Sequence, residues 1–212
     1  MEVIYRPLAV GVKTAVKVMG WRVLVDNIEG IPRHGPVVVA CNHVSYLDPI
    51  MVGLAVEKRG RLPRFLAKRE LFTIPVFGAA LRQMQHVPVD RQGAAAAALP
   101  EGIARLQQGH LLALFPEATI RPQFDPANGK TGAARLALES GAPLLPVGLW
   151  GGQAISTKGD KVRLRRRLPL GVSVGSLMTP QGDEDAAQLT RRLMEQIGQL
   201  ADHARAATER VS

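Results

Sequence analysis

Apolar positions along the chain gather into short runs separated by polar turns, and the runs fall into two periods. "WRVLVDN", "GPVVVACN", "RFLA", "HVPVD", "HLLALFPE", "APLLPVGLWG", "KVRLRRRL" and "PLGVSVGSL" read as strands. Between them lie segments with helical spacing. A short helix is expected after Asp48-Pro49, because proline suits the first helical turn, and another short stretch after Pro75. Longer helices are expected from Ala94 to about Gln108, from about Thr131 to Ser140, and over the terminal "DEDAAQLTRRLMEQIGQLADHARAATE". At the start, Ile4, Leu8, Val12, Val16 and Met19 recur at helical spacing while Arg6, Lys13 and Lys17 occupy other positions. Strands alternating with helices argue for an α/β sheet with helices on its faces. No internal repeat and no linker interrupts the pattern.

Charge adds a constraint on partners. The 212 residues hold 27 Lys and Arg against 18 Asp and Glu, a net charge of +9, which implies a negative partner or surface. Nucleic acid is not the expected partner, since two Trp, two Tyr and five Phe provide no aromatics interleaved with a basic cluster as a single-strand stacking platform needs. The lone Cys41 excludes an intramolecular disulfide and a multi-cysteine zinc site, and an intracellular setting is expected. The start carries Glu2, Arg6, Lys13 and Lys17, so neither a secretory signal nor a myristoylation start is expected. The longest uncharged run, from Ser140 to Thr157, contains two prolines and four glycines, a poor membrane-spanning helix. The N-terminal segment suits two roles: a basic amphipathic helix on an anionic bilayer, or a helix packed on its own domain.

Candidate chemistry begins at "ACNHVSYLDPI", residues 40 to 50, where an apolar strand delivers an imidazole, an amide, a hydroxyl and a carboxylate. On a regular helix, positions five apart point about 140 degrees away from each other, so His43 and Asp48 touch only across a turn. A strand exit, a turn and a helix starting near Pro49 would fold Asp48 back onto the ring, fix its tautomer and favour its protonated form. An ordinary polar strand end is the competing reading. "VPVDRQG" places Asp90 and Arg91, and "ALFPEATIRP" places Glu117, Thr119 and Arg121, at the ends of two further strands. Polar residues at several strand ends mark where open α/β sheets hold ligands. "GVSVG" spells a nucleophile-elbow pattern around Ser173, but strand-like valines flank it and the required helix is missing. Cys41 reads as a core thiol, and His34, His86 and His110 as structural or exposed.

"NHVSYLD", "VPVDR", "FPEAT" and "PLLPVGL" resemble, in order and spacing, the four sequence blocks of the glycerolipid acyltransferases, of which lysophosphatidic acid acyltransferase is the best-known member. "FLAKREL" and "GKTGAARLA" are similar to the family as well, and the resemblance runs from roughly Trp21 to Ser176. It implies a mixed, mainly parallel sheet flanked by helices, in an acyltransferase domain over residues 21–212 preceded by an N-terminal amphipathic helix over residues 1–20. The activity implied is transfer of a fatty acyl chain from a thioester to the hydroxyl of lysophosphatidic acid, giving phosphatidic acid, by direct attack and without an acyl-enzyme. His43 would be the general base and Asp48 its orienter. Lys68, Arg91 and Arg121 would bind the acceptor phosphate, with Glu117 and Thr119 beside them. The donor would be acyl-CoA or an acylated acyl carrier protein, and no cofactor or metal is implied. Other acceptors within the same chemistry are glycerol 3-phosphate, a lysophospholipid or a glycolipid; a silent lipid-binding module is the alternative from another class.

Three positions depart from the family pattern. Ala118 stands where the third block has glycine, Ile120 separates Thr119 from Arg121, and Gln85 stands where the second block begins with glycine. The stretch "TKGDKVRLRRRL" sets Lys158, Lys161, Arg163, Arg165, Arg166 and Arg167 against Asp160. It suits a charged, solvated strand edge, or a site for anionic headgroups or an acidic carrier protein. With the N-terminal helix it leads to the expectation of a peripheral protein on the cytoplasmic face of the cell membrane, in contact with anionic phospholipid.

Overall fold

The near-continuous apolar runs form strands because both faces of the sheet are covered, so alternate side chains have no solvent to face. In the computed structural model, which describes residues 2–90 and 95–211, the central strand β2 (Val37–Cys41) is buried at all five positions. Val38 and Ala40 point into one apolar cluster and Val37, Val39 and Cys41 into another. The first cluster is closed by α4 (Leu99–Gln107), α5 (Gly132–Ser140) and α6 (Ala186–Glu209), the second by α2 (Asp48–Glu57). Each fully buried aliphatic side chain contributes about 1.5–3 kcal/mol, so the double cover specifies strand register strongly.

The sheet also contains β1 (Arg22–Asp26), β3 (Arg64–Lys68), β4 (Val87–Val89), β5 (Leu111–Leu114), β6 (Leu144–Trp150) and β7 (Pro169–Val174), in the order β1-β7-β6-β2-β5-β3-β4. All neighbours pair in parallel except β6 with β7. This is the mixed, mainly parallel sheet with flanking helices that was expected. Parallel pairing brings the C-terminal ends of β2, β3, β5 and β6 to one edge. Helix α6 starts with a capping box between Asp185 and Gln188 and lies directly on strand backbone. A Cβ at Gly148 would sit 2.1 Å from the Leu200 carbonyl carbon, and one at Gly171 would sit 2.5 Å from the Ala204 carbonyl oxygen, so only glycine fits at either crossing.

Helix α1 (Glu2–Met19) precedes the sheet. Val12, Val16 and Met19 of its apolar stripe are half-buried and Lys13 pairs with Glu57 at 2.6 Å, whereas Val10 and Val18 are exposed. The side chains of Ile4, Arg6 and Leu8 lie outside the described ones. The expected helix from Ala94 is regular only from Leu99, where Pro100 occupies the first turn; residues 95–98 form a 3-10 turn. A shorter helix, α3 (Phe77–Gln83), follows Pro75 as anticipated.

"KVRLRRRL" is not a strand. Residues 158–167 form an exposed loop between β6 and β7, outside the ladders that β7 makes with β1 and β6. The loop's backbone finds other partners. Arg163 N–H donates to the Ile155 carbonyl, Trp21 Nε1 donates to the Arg165 carbonyl, and Arg167 N–H donates to the Met19 carbonyl.

Candidate active site

The turn after β2 is built by the carboxylate of Asp48. Its Oδ2 accepts from the Val44 N–H at 2.7 Å, from the Ser45 N–H at 2.8 Å and from His43 Nδ1 at 2.9 Å. Two backbone donors therefore fix the carboxylate independently of the ring. The first turn of α2 holds Asp48, where an acidic side chain is favoured by the helix dipole. With Nδ1–H donating to the carboxylate, His43 Nε2 keeps its lone pair. The ring stacks on Phe115, with centroids 4.0 Å apart and planes 15° from parallel. Sequence spacing left open whether His43 and Asp48 meet; the turn brings them together.

The third block grips the same histidine from its backbone side. Glu117 Oε1 accepts the His43 N–H at 2.8 Å, and the Arg121 N–H donates to the His43 carbonyl at 2.9 Å. Asn42 closes the other flank: its Nδ2 donates to the Leu149 carbonyl at 3.0 Å and its Oδ1 accepts the Leu149 N–H at 2.7 Å. The imidazole thus sits on a backbone tied to the ends of β5 and β6, with only 7% of the residue exposed.

Burial sets the electrostatics. It pushes the Asp48 carboxyl up, against the lowering effect of the His43 ring and the two backbone donors. Burial also raises Glu117 to about 7, opposed by the His43 N–H and by Arg121 and reinforced by the charges of Asp48 and Asp125. The unpartnered oxygens Asp48 Oδ1 and Glu117 Oε2, and Arg121 Nε, are buried without a hydrogen-bond partner among the described residues. Cys41 is pushed well up by burial and by the Asp48 charge, which suits a core thiol and not a nucleophile. Ser173 is buried inside β7 opposite Gly148 and Asp26, without the turn an elbow needs. His86 Nδ1 accepts the Phe65 N–H, and burial holds the ring down at about 4; His110 is also lowered by burial and by neighbouring arginines. His86 is structural, and His110 is half-buried just before β5.

Of the other expected site residues, Thr119 follows Glu117 by two positions and its Oγ1 accepts from Lys158 Nζ at 3.1 Å. Lys68 ends β3 at the same edge, with Nζ 3.1 Å from Glu70. Arg91 lies outside the described residues. Reasoning from sequence missed Phe115 as the stacking partner and missed the hydrogen-bonded loop at Ser156, Thr157 and Lys158. A signal for Phe115 was present in "FPEAT", directly before the glutamate; the loop carried none.

Residues 22–150 match the family model described as Acyltransferase. Over 132 residues the chain is 31% identical to a 1-acyl-sn-glycerol-3-phosphate acyltransferase of Bacillus subtilis, covering 61% of this chain and 63% of that protein. A protein of the same description from Borreliella burgdorferi is 29% identical over 141 residues, or 66% of this chain and 55% of the relative. The match therefore spans less than two thirds of either curated relative. The crystal structure of the 1-acyl-sn-glycerophosphate (LPA) acyltransferase PlsC from Thermotoga maritima is similar with a TM-score of 0.77 and 25% identity, covering 95% of this chain and 79% of that one. Sequence blocks, sheet order and the family match over more than half the chain agree: the chain belongs to the glycerolipid acyltransferase family.

Proposed function

We infer that the protein transfers a fatty acyl chain from a thioester to the free hydroxyl of 1-acyl-sn-glycerol 3-phosphate, forming phosphatidic acid and releasing the thiol. The observation that carries this reading is the triple engagement of Asp48 Oδ2 by Val44 N–H, Ser45 N–H and His43 Nδ1, which leaves Nε2 as a base. Nε2 takes the hydroxyl proton as the oxygen attacks the thioester carbonyl. The tetrahedral adduct then collapses, the C–S bond breaks, and the departing sulfur takes the proton back from the imidazolium. Asp48 holds the ring's tautomer and stabilises the transient cation without itself taking the proton. Arg121, Arg91 and Lys68 are the cations for the acceptor phosphate, whose geometry a guanidinium matches with two parallel bonds. Glu117 and Thr119 hold the third block beside them. Coenzyme A and acyl carrier protein are both suitable thiol carriers.

The site acts at an anionic bilayer on this reading, as a peripheral protein on its cytoplasmic face. Among the described residues no helix is long and apolar enough to cross a membrane. Support comes instead from exposed Val10 and Val18 on α1 and from exposed Val162 and Leu164 among the cations of the 158–167 loop.

The test is acyl transfer from acyl-CoA and from acylated carrier protein to lysophosphatidic acid, beside glycerol 3-phosphate, a lysophospholipid and a glycolipid. His43→Ala should lose about 10² to 10⁴ in rate while keeping its circular dichroism. A wild type inactive with both donors on all acceptors, or a His43→Ala variant as fast as wild type, would sink the reading and leave the lipid-binding module.

A further inference from the structure

The loop that leaves β6 returns to the catalytic turn before it runs out into solvent. Ser45 Oγ donates to the Ser156 carbonyl at 2.6 Å, and the Tyr46 N–H donates to the same oxygen at 3.3 Å. Thr157 Oγ1 donates to the Val44 carbonyl at 2.8 Å. Earlier in the loop, Gly152 is pressed so closely against the turn that a Cβ there would lie 2.8 Å from Ser45 Cβ. Consecutive loop residues are thus stitched to the three residues between His43 and Leu47. The next residue is Lys158, whose Nζ donates to Thr119 Oγ1, two residues beyond Glu117.

A neutral hydroxyl positions the ammonium without cancelling its charge, and two of its three N–H donors remain for a ligand. No carboxylate pairs with Lys158 among the described residues, whereas Lys68 is 3.1 Å from Glu70 and Arg121 lies in the field of Glu117. A phosphate monoester carries a charge of about −1.5 to −2 near neutrality, more than one shared cation balances. We propose that Lys158, held by Thr119 beside the His43 turn, binds the phosphate of the acceptor lipid. The assignment rests on the phosphate-bearing acceptor of the preceding section. It gives the chain a cation from outside the four family blocks, in a protein where Ile120 displaces Arg121 by one position.

The experiment compares wild type with Lys158→Ala and Lys158→Arg. Steady-state kinetics are measured on lysophosphatidic acid and on monoacylglycerol, the same acceptor without phosphate, and binding of short-chain lysophosphatidic acid is measured by calorimetry. Lys158→Ala should raise KM and Kd for lysophosphatidic acid about tenfold or more, the loss expected for one charge-assisted bond, with kcat changed by less than about threefold. Lys158→Arg should recover most of the affinity, and monoacylglycerol should show no difference. Equal KM and Kd in Lys158→Ala and wild type would overturn the assignment, as would an equal loss on monoacylglycerol, which would make Lys158 a structural part of the loop. If wild type binds lysophosphatidic acid but turns over no acceptor, the acyl-transfer reading fails while the calorimetry still decides on Lys158. A wild type whose binding does not depend on the phosphate overturns it.

Discussion

Glu117 leaves β5 for a position where 3% of its surface meets solvent, one carboxyl oxygen accepting the His43 N–H and the other buried without a partner among the described residues. Desolvation disfavours the anion there more than the single hydrogen bond and Arg121 favour it, which is why the group is raised to about 7. The consequence for stability has a definite sign. A carboxyl that binds its proton more tightly when folded stabilises the fold below its unfolded pKa, near 4.5, and that contribution is lost as pH rises to about 7. The gap corresponds to about 3 kcal/mol at most. Glu117→Gln keeps an acceptor for the His43 N–H but does not titrate. The difference in unfolding free energy between variant and wild type should therefore grow in the variant's favour from about pH 5 to about pH 7.5, then level off, as measured by denaturant titration at each pH. A difference that stays flat across that window would mean the carboxyl is hydrated in the folded protein and its pKa ordinary.

At the level of the connecting turns, the two places where this chain departs from the family's glycines are both left-handed in backbone. Ala118 has φ 56° and Gln85 has φ 58°. Ala118 closes a turn in which its N–H donates to the Phe115 carbonyl, the turn that presents Glu117 to His43. Gln85 ends α3 in the position where helices usually take glycine, with the His86 N–H donating back to the Leu81 carbonyl. Ala118→Gly should relieve strain and stabilise by up to about 1 kcal/mol, a Tm rise of about 2–4 °C by calorimetry at this chain length. Gln85→Gly relieves the same strain but removes the acceptor that Arg64 Nε finds at 3.0 Å, an offset of about 1–3 kcal/mol, so its Tm should not rise. Equal rises would show that the Gln85–Arg64 bond contributes nothing. These turns also mark what a sequence can disclose. The departures at positions 85 and 118 are visible as letters, and their backbone conformation is not. Strand positions were legible because burial on two faces leaves near-continuous apolar runs, and helix positions because an apolar face recurs with the helical period, whereas "KVRLRRRL" has strand alternation but pairs with no strand.

For the molecule as a whole, order along the chain indicated which strand ends share one edge, since parallel strands deliver their C-terminal ends to the same side. It did not reveal that Asp48 is held by Val44 and Ser45, or that the β6–β7 loop is stitched to the turn, because those are bonds between side chains and backbone groups 3 to 113 positions apart that no residue type announces. The same loop joins the site to the rest of the surface. From Lys158 it runs past Lys161, Arg163 and Arg165 to α1, where Arg166 donates to the Val18 carbonyl and Arg167 N–H to that of Met19. On the peripheral reading proposed above, six cations with a single acidic residue, together with exposed Val162 and Leu164 and with Val10 and Val18 of α1, would meet an anionic bilayer. Each cation near such a surface contributes about 1 kcal/mol, so charge should dominate the binding and the two loop aliphatics should contribute a smaller, salt-resistant part. Raising salt from about 0.1 M to about 1 M shortens the Debye length from about 10 Å to about 3 Å. Co-sedimentation with phosphatidylglycerol-containing vesicles should therefore fall steeply over that range, vesicles of phosphatidylcholine alone should bind little, and Val162→Asp with Leu164→Asp should remove what persists at high salt. Binding that ignores both salt and lipid charge would instead assign the +9 to solubility, and would separate membrane contact from the site that Lys158 adjoins.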